Sequence, residues 1–364
     1  PNTTYYYRAY ATNSVGTSYG TQYSLLTYPT DPTSPVASPS TICNGAGSQL
    51  SVSNAQGTVY WYTGGCGSSL AGTGNPLTVY PSATTTYYAR NYNATGYSSG
   101  CTAGVTVTVN QPASQPGSAS ATVPAGVSGL TSANLSWGQS TGLAPITYYW
   151  AVGTGSGVTY ESGYTARGTT SDPTVSATAS GLTQSTSYYL AVKAWNSCAT
   201  SAYRTSSVFR TNHELIYHAG SNGTIGLTSA GGSSSVTQVV ANGGNGAAVY
   251  AKPNTNYHFI NWSDGSTSNP RTDLNRTAGL TVTANFGLNS LEFSVEPGNT
   301  VAGTNIAFTA SGSDTYGFYV NGTATGPYST VNVYSTTTLN NGDTISVQAY
   351  SADGCLSIAE DTFI

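Results

Sequence analysis

The sequence predicts an all-β chain of tandem β-sandwich domains with one small β-rich repeat module. Three observations predict it. Short runs of alternating Tyr, Thr and Val recur between turns rich in Gly, Ser and Asn, the pattern of half-buried antiparallel strands. No stretch carries the three-to-four-residue apolar spacing of a helix. A chain of 364 residues and 37.2 kDa exceeds what one hydrophobic core holds, so three to five domains are expected.

Composition narrows the function classes. Only 6% of residues are charged, against 29 Tyr and 43 Gly, and no acidic residue lies between Asp31 and Glu161. Polar catalysis draws on carboxylates, imidazoles and ammonium groups, which are scarce here. Lys193 and Lys252 are the only lysines and the net charge is −4, so no basic patch for nucleic acid is expected. No apolar run is long enough to span a membrane. Without any Met, Pro1 is not a translation start, and the chain reads as a processed product or an excerpt. Five scattered cysteines without a CxxC pair lack metal-ligand spacing and fit an extracellular, oxidising setting.

The elements follow in chain order. Thr4-Tyr5-Tyr6-Tyr7-Arg8-Ala9-Tyr10-Ala11-Thr12-Asn13-Ser14 aligns without gaps on Ser187-Tyr188-Tyr189-Leu190-Ala191-Val192-Lys193-Ala194-Trp195-Asn196-Ser197. Strand alternation puts Tyr188, Leu190, Val192 and Ala194 on the core face, with Lys193 and Trp195 opposite. The same register buries Tyr5, Tyr7, Ala9 and Ala11. This strand, with its Tyr start and closing Asn, resembles the fibronectin type III family. Residues 118–211 supply the rest of that pattern: a core tryptophan at Trp137, a middle strand over Ile146-Thr147-Tyr148-Tyr149-Trp150-Ala151-Val152, and a leucine turn at Gly181-Leu182-Thr183. Residues 1–27 are then the C-terminal part of a second such domain. Their buried face must be covered by earlier residues of a longer chain or by another molecule.

Residues 28–40, rich in Pro, Ser and Thr, read as a linker. Residues 41–110 open on Thr41-Ile42-Cys43-Asn44-Gly45. They continue through Val59-Tyr60-Trp61-Tyr62 and Tyr87-Tyr88-Ala89-Arg90, and close at Gly100-Cys101 and Val105-Thr106-Val107-Thr108-Val109. This segment resembles immunoglobulin-like repeats of secreted Bacteroidetes surface proteins. Those repeats carry a fourth cysteine that is missing here, which leaves one of the three unpaired. Cys43 and Cys101, near the start and end of the domain, are expected to bond; the alternative is that Cys66 pairs with one of them. Cys198 and Cys355 are then free thiols or bridges to a neighbouring chain.

Residues 213–287 contain Tyr257-His258-Phe259-Ile260-Asn261-Trp262-Ser263-Asp264-Gly265, Asn269-Pro270-Arg271 and Thr281-Val282-Thr283-Ala284-Asn285-Phe286. They resemble the divergent internalin-type B-repeat (the Listeria–Bacteroides repeat), a small surface module with no catalytic motif. Residues 288–364, with Phe318-Tyr319-Val320-Asn321-Gly322, Asn341-Gly342 and Gly354-Cys355, resemble immunoglobulin-like or PKD-like repeats. Both Asn-Gly pairs read as hairpin turns.

Candidate chemistry is sparse. His213 and His218, five apart on a strand, face opposite ways, and Glu214 is their only nearby carboxylate, so no zinc set converges. Asp264 and Asp273 flank Arg271 and are expected to order the turn before the last strand of their module rather than hold a cation or sugar. Asp343 and Asp353 are too few for calcium. No carboxylate pair or GxSxG elbow points to hydrolysis. No catalytic, cofactor-binding or metal residue is therefore assigned, and no cofactor. Neither lysine is placed for an isopeptide crosslink. Trp61, Trp137 and Trp262 fall at core positions. Tyr189 and Trp195 share the outward face of one strand, where cross-strand contacts on an exposed sheet face are expected first and contact with a partner or stacking on sugar rings is the alternative. Asp343-Thr344-Ile345 resembles the short O-glycosylation acceptor of Bacteroidetes, which nominates Thr344.

Together these residues predict a non-catalytic, extracellular, cell-surface stalk and adhesion segment. Its partners are other protein chains, further domains of its own chain, or surface glycans. The resemblance implies a Bacteroidetes-type multidomain surface protein exported by the type IX route. Two alternatives stay open: a filament or sheath subunit whose N-terminal strands are completed in trans, and the accessory tail of a secreted enzyme.

Overall fold

Alternation along the chain becomes alternation across sheets. In the computed structural model, strands make up 51% of the chain and helix 1%, so the fold is all-β. The structure describes residues 1–255, 257–289, 292–296, 304–350 and 356–362. Two compact units form. One holds residues 1–121, 135–178 and 188–208; the other holds residues 122–134, 179–187 and 209–364.

In the first unit, Thr33–Ser38, Ser48–Ser53 and Leu77–Val79 make a three-stranded sheet. Thr41–Cys43, Val105–Asn110, Thr85–Asn93, Thr58–Thr63 and Ser69–Thr73 make the facing one, with Gly96–Tyr97 beside Thr85–Asn93. Leu50, Val59, Trp61, Ala89 and Val107 are buried together between them. Burying a side chain such as Leu50 contributes about 1.5–3 kcal/mol. Trp61 pairs with Ala89 across the sheet, and its indole N–H donates to the Gly74 carbonyl at 2.9 Å. The expected linker over residues 28–40 is a correction: its Thr33–Ser38 segment is an edge strand on Ser48–Ser53, irregular between Thr33 and Val36. A proline is tolerated there because an edge strand leaves one row of N–H groups unpaired.

The same unit holds the sheet around Thr147–Gly153, which pairs with Ser187–Trp195 on one side and Ala166–Ser171 on the other. Tyr188, Leu190, Val192 and Ala194 are buried, as their register requires. Trp137 packs on Tyr148 with ring centroids 5.7 Å apart. Gly168 lies opposite Trp150, and a Cβ there would sit 2.6 Å from the indole, so the large ring and the missing side chain belong together.

Residues 1–27 form one long hairpin. Thr4–Tyr7 pairs with Tyr23–Leu26, and Tyr10–Asn13 pairs with Gly16–Tyr19. The expected burial of Tyr5, Tyr7, Ala9 and Ala11 is corrected: all four are exposed. No second sheet among the described residues covers them.

In the second unit, Ser235–Val240, His213–Ala219, Leu280–Leu288 and Tyr257–Trp262 form a sheet whose central pair is parallel. Leu215, Tyr217, Ile225, Val249, Trp262 and Val282 fill its core. Further on, Ile306–Ser311 and Val333–Thr336 pair in one sheet, and Thr315–Val320 pairs with Thr344–Tyr350 in another. Ile306, Phe308, Phe318, Ile345 and Val347 make the core there. Asn321 and Gly322 take φ of 51° and 75° between the paired Val320 and Thr323, the two-residue hairpin turn expected from Asn-Gly.

Candidate functional site

Three features of the first unit stand out: an outward sheet face, a bare hairpin, and a covalent joint. The face belongs to Ser187–Trp195. Trp195 is 41% exposed, as its register predicts. Tyr189 does not form an open stripe with it. The chain after Thr147–Gly153 folds back over this side: Val158 is buried with Ala151 and Ala191, and Tyr189 and Tyr203 pack on them. Lys193 lies over the rings of Tyr203 and Tyr149, at 4.9 and 6.0 Å, and is ion-paired with Glu161. The Tyr203 hydroxyl also donates to Glu161 at 2.5 Å. These two bonds hold the Glu161 carboxyl down at about 2. Burial pulls Lys193 down, but its bonds to Glu161 and Tyr203 outweigh that and raise it overall. Arg167 adds to this polar cover, stacking on Tyr160 and Tyr164 at 4.8 and 4.2 Å.

A second aromatic face had no place in the sequence argument. Tyr60 meets Tyr92 and Tyr97 edge to face, and those two are tilted against each other, with centroids 4.8–5.4 Å apart. Arg90 stacks on Tyr97 at 5.1 Å. Beside it, Tyr28, Pro29, Tyr97 and Ser99 line an open cleft of 340 Å³. The signal was present: Tyr60, Arg90 and Tyr92 alternate with the core residues Trp61, Ala89 and Asn91. Recognising the face also needed the strand register that sets Arg90 opposite Tyr60.

The bare hairpin carries seven exposed tyrosines within residues 5–28: Tyr5, Tyr6, Tyr7, Tyr10, Tyr19, Tyr23 and Tyr28. The ring contacts of Tyr7, Tyr10, Tyr19 and Tyr23 lie within the hairpin. Tyr7 stacks with Tyr23 at 5.9 Å, and Arg8 lies over Tyr19 at 3.7 Å.

The joint corrects the cysteine reading. Cys43 bonds to Cys198, and Cys66 to Cys101, with Cα atoms 5.4 and 5.7 Å apart. The expected Cys43–Cys101 bond does not form, because Cys43 lies at the Asn110 end of Val105–Asn110 and Cys101 precedes its Val105 end. Cys43 is level with Asn110 at the exit of its module. Cys101 is fixed beside the middle of Thr85–Asn93 by the Thr102 N–H, which donates to the Ala89 carbonyl. A disulfide cannot span that distance. The cysteine left without a partner in its own module finds one in the next. Cys198 was expected to be free or bonded to another chain. It reaches Cys43 because Asn196 anchors its turn: the Asn196 amide donates to the carbonyls of Gln111 and Leu143, both at 3.1 Å. Its carbonyl oxygen accepts from the N–H groups of Cys198 and Ala199. The intervening residues are stitched down as well. The Ser114 N–H donates to Thr141, the Gly117 N–H to Gly138, and the Arg204 guanidinium to the Pro116 carbonyl. Cys355 lies outside the described residues.

In the second unit, Arg271 forks onto Asp264 and Asp273 with four bonds of 2.7–2.9 Å. Tyr217 donates to Asp273 at 2.8 Å. Burial pushes Asp273 up, but Arg271 and Tyr217 more than offset it and keep it ionised below its usual range. This is the turn-ordering arrangement expected of the motif. His213 is buried with its Nδ1 2.7 Å from the Ser185 hydroxyl, while His218 is exposed on the other face. Thr344 begins Thr344–Tyr350, and its N–H donates to Asn321 Oδ1. Asp343 is engaged by the Asn321 amide and the Asn340 N–H. Asp353 lies outside the described residues. Among the described residues no three His, Cys, Asp or Glu side chains converge on a metal-sized site. None of their helices is long and apolar enough to cross a membrane.

Two family models match parts of the chain. The family described as "Ig-like domain CHU_C associated" matches residues 29–111, and the "Divergent InlB B-repeat domain" family matches residues 213–290. No curated protein matches the chain. Among solved structures, the FN1–FN3 domains of chicken CNTN1 are similar at 14% identity and a TM-score of 0.26. That similarity covers 58% of this chain and 76% of that one, and the score is too low to carry anything over. The chain is thus a multidomain β protein with an immunoglobulin-like segment over residues 29–111 and a B-repeat-like segment over residues 213–290. Families of this kind are typically non-catalytic.

Proposed function

We propose that the chain is a non-catalytic extracellular stalk and adhesion segment of a large bacterial cell-surface protein, of Bacteroidetes type and exported by the type IX route. The observation that carries this reading is the joint at Cys43–Cys198. Here successive β modules are fixed to one another by a disulfide and a stitched linker, which suits a spacer that must hold its reach. Low charge and short polar side chains favour packing, and scarce Lys and Arg deny trypsin-like proteases their sites. Trp195 and the Tyr60–Tyr92–Tyr97 face are the places for contact with another protein or with surface glycans. Thr344 is the O-glycosylation site of this reading. Labelling intact cells of the source organism with antibody to residues 41–211 tests the placement: surface label supports it, and label only after permeabilisation overturns it.

The bare N-terminal hairpin favours one second reading, a filament or sheath subunit completed in trans. The intact mass of the native chain separates the two. A mass well above 37.2 kDa leaves room for the missing strands in the same chain and favours the stalk; a mass near it, glycans allowed for, favours the filament.

A further inference from the structure

A chain pulled from its two ends carries force along its shortest covalent path. Here that path does not follow the backbone. It runs from the N-terminal side to Cys43, crosses the disulfide, and leaves from Cys198, 155 residues further on. The enclosed stretch includes Ser48–Ser53, Thr58–Thr63, Thr85–Asn93 and Val105–Asn110 of the first module. It also includes Ala133–Trp137, Thr147–Gly153 and Ser187–Trp195 of the next, with the buried Trp137 and Trp150. All of these hang from the path as a closed loop. Cys66–Cys101 lies wholly inside that loop and takes no load.

We propose that the Cys43–Cys198 bridge is a tension bypass, which shields the cores of two consecutive modules from a pull on the chain and caps how far that part can lengthen. Thr33–Ser38 and Thr41–Cys43 before the bridge, and residues 199–211 after it, still bear load. They can be peeled away without letting out the loop. The position of Cys198 in the turn just after Trp195 matters, because a bridge placed before Ser187–Trp195 would leave that central strand in the load path. The biological use of the device rests on the stalk reading, but the load path itself does not.

Single-molecule pulling of residues 1–364 between two reference domains reads it directly. At roughly 3.3–3.6 Å per residue, the enclosed 155-residue separation corresponds to on the order of 500 Å of extended chain. The oxidised protein should unfold without ever releasing that length, and dithiothreitol added during the pull should let it out. In the Cys43→Ser/Cys198→Ser double variant, Cys66–Cys101 still closes a separation of 35, so the gain should be about 400 Å. Equal released lengths for the oxidised wild type and the double variant would overturn the proposal. So would peptide mapping without reduction that finds Cys43 free or joined to any cysteine but Cys198. If the double variant fails to fold, adding reductant to the folded wild type gives the same reading. Failure of the stalk reading would show instead as absent surface label, with the released lengths unchanged.

Discussion

Two stretches of this chain carry nearly the same strand and meet opposite fates. Tyr188 and Leu190 are 1% and 0% exposed, while Tyr5 and Tyr7, which align with them, are 56% and 59% exposed. Both stretches form strands, one continuous over Ser187–Trp195 and the other broken at Arg8 and Ala9. The difference is the partner. Ser187–Trp195 is paired with Thr147–Gly153 and lies in a sheet with a packed core, whereas Thr4–Tyr7 pairs only with Tyr23–Leu26. A strand pattern therefore declares which face wants burial, and the rest of the fold decides whether it is buried.

The largest effect should come from the aligned core position. Leu190→Ala removes a fully buried side chain and should cost about 2–5 kcal/mol in urea unfolding. Tyr7→Ala should change stability by about 0.5 kcal/mol or less, as for an exposed site. A Tyr7→Ala loss as large as that of Leu190→Ala would break the contrast, and would mean that the hairpin is covered in solution.

The closing asparagine sharpens it. Asn13 and Asn196 use the carbonyl oxygen alike, each accepting from the N–H groups two and three residues on. Only Asn196 is buried, and only its amide reaches a neighbouring segment, at Gln111 and Leu143. Asn196→Ala removes two part-buried hydrogen bonds to a neighbouring segment and should cost about 1–3 kcal/mol. Asn13→Ala should cost about 0.5 kcal/mol or less. Equal losses in paired melts would show that the local turn, not the joint, is what Asn196 supports.

The ends of the two copies differ in the same way. After the complete copy the chain enters His213, buried against Ser185. Burial pushes the His213 imidazole down, and the nearby Arg210 and Arg276 add to that against a bond with Asn242. The unfolded chain then binds a proton that the folded one resists. This contribution is complete above the unfolded value near 6.5 and is lost as pH falls below it, by at most about 1.4 kcal/mol per pH unit. Urea midpoints from pH 7.5 to 5 should fall, and His213→Gln should flatten that slope. An unchanged slope in the variant would assign the pH dependence to other groups.

How much of this the sequence could tell follows from range. The strand register, the core tryptophans, the Asn-Gly hairpin and the Arg271 cluster were legible, because each is fixed by residues close in sequence or by simple alternation. The Cys43–Cys198 bond was not, since it depends on where two modules meet, 155 residues apart. The cover over Tyr189 was not legible for a related reason: strand alternation says nothing about a loop that returns over the outer face with Val158. Residues 28–40 looked like a linker because proline and serine mark loops and edge strands alike.

The outward positions offer the smallest and most local test. Lys193 aligns with Tyr10. Lys193 meets Glu161, whereas Tyr10 has only Tyr19 across the hairpin, at 6.2 Å. If the loop over Val158 is held as described, Glu161 should titrate at about 2, because Lys193 and Tyr203 bond to its ionised form. Its folded value lies below its unfolded one, so the contribution is present above the unfolded value and lost as pH falls toward 2. Glu161 is largely exposed, so the effect on global stability should be slight and the readout is the side-chain resonance itself. Lys193→Met should move the midpoint up toward the ordinary 4.5, and Tyr203→Phe should move it less. A wild-type midpoint near 4.5 would mean that the loop does not rest on the sheet in solution. Tyr189 would then be free to join Trp195 as the open face the alternation alone implies.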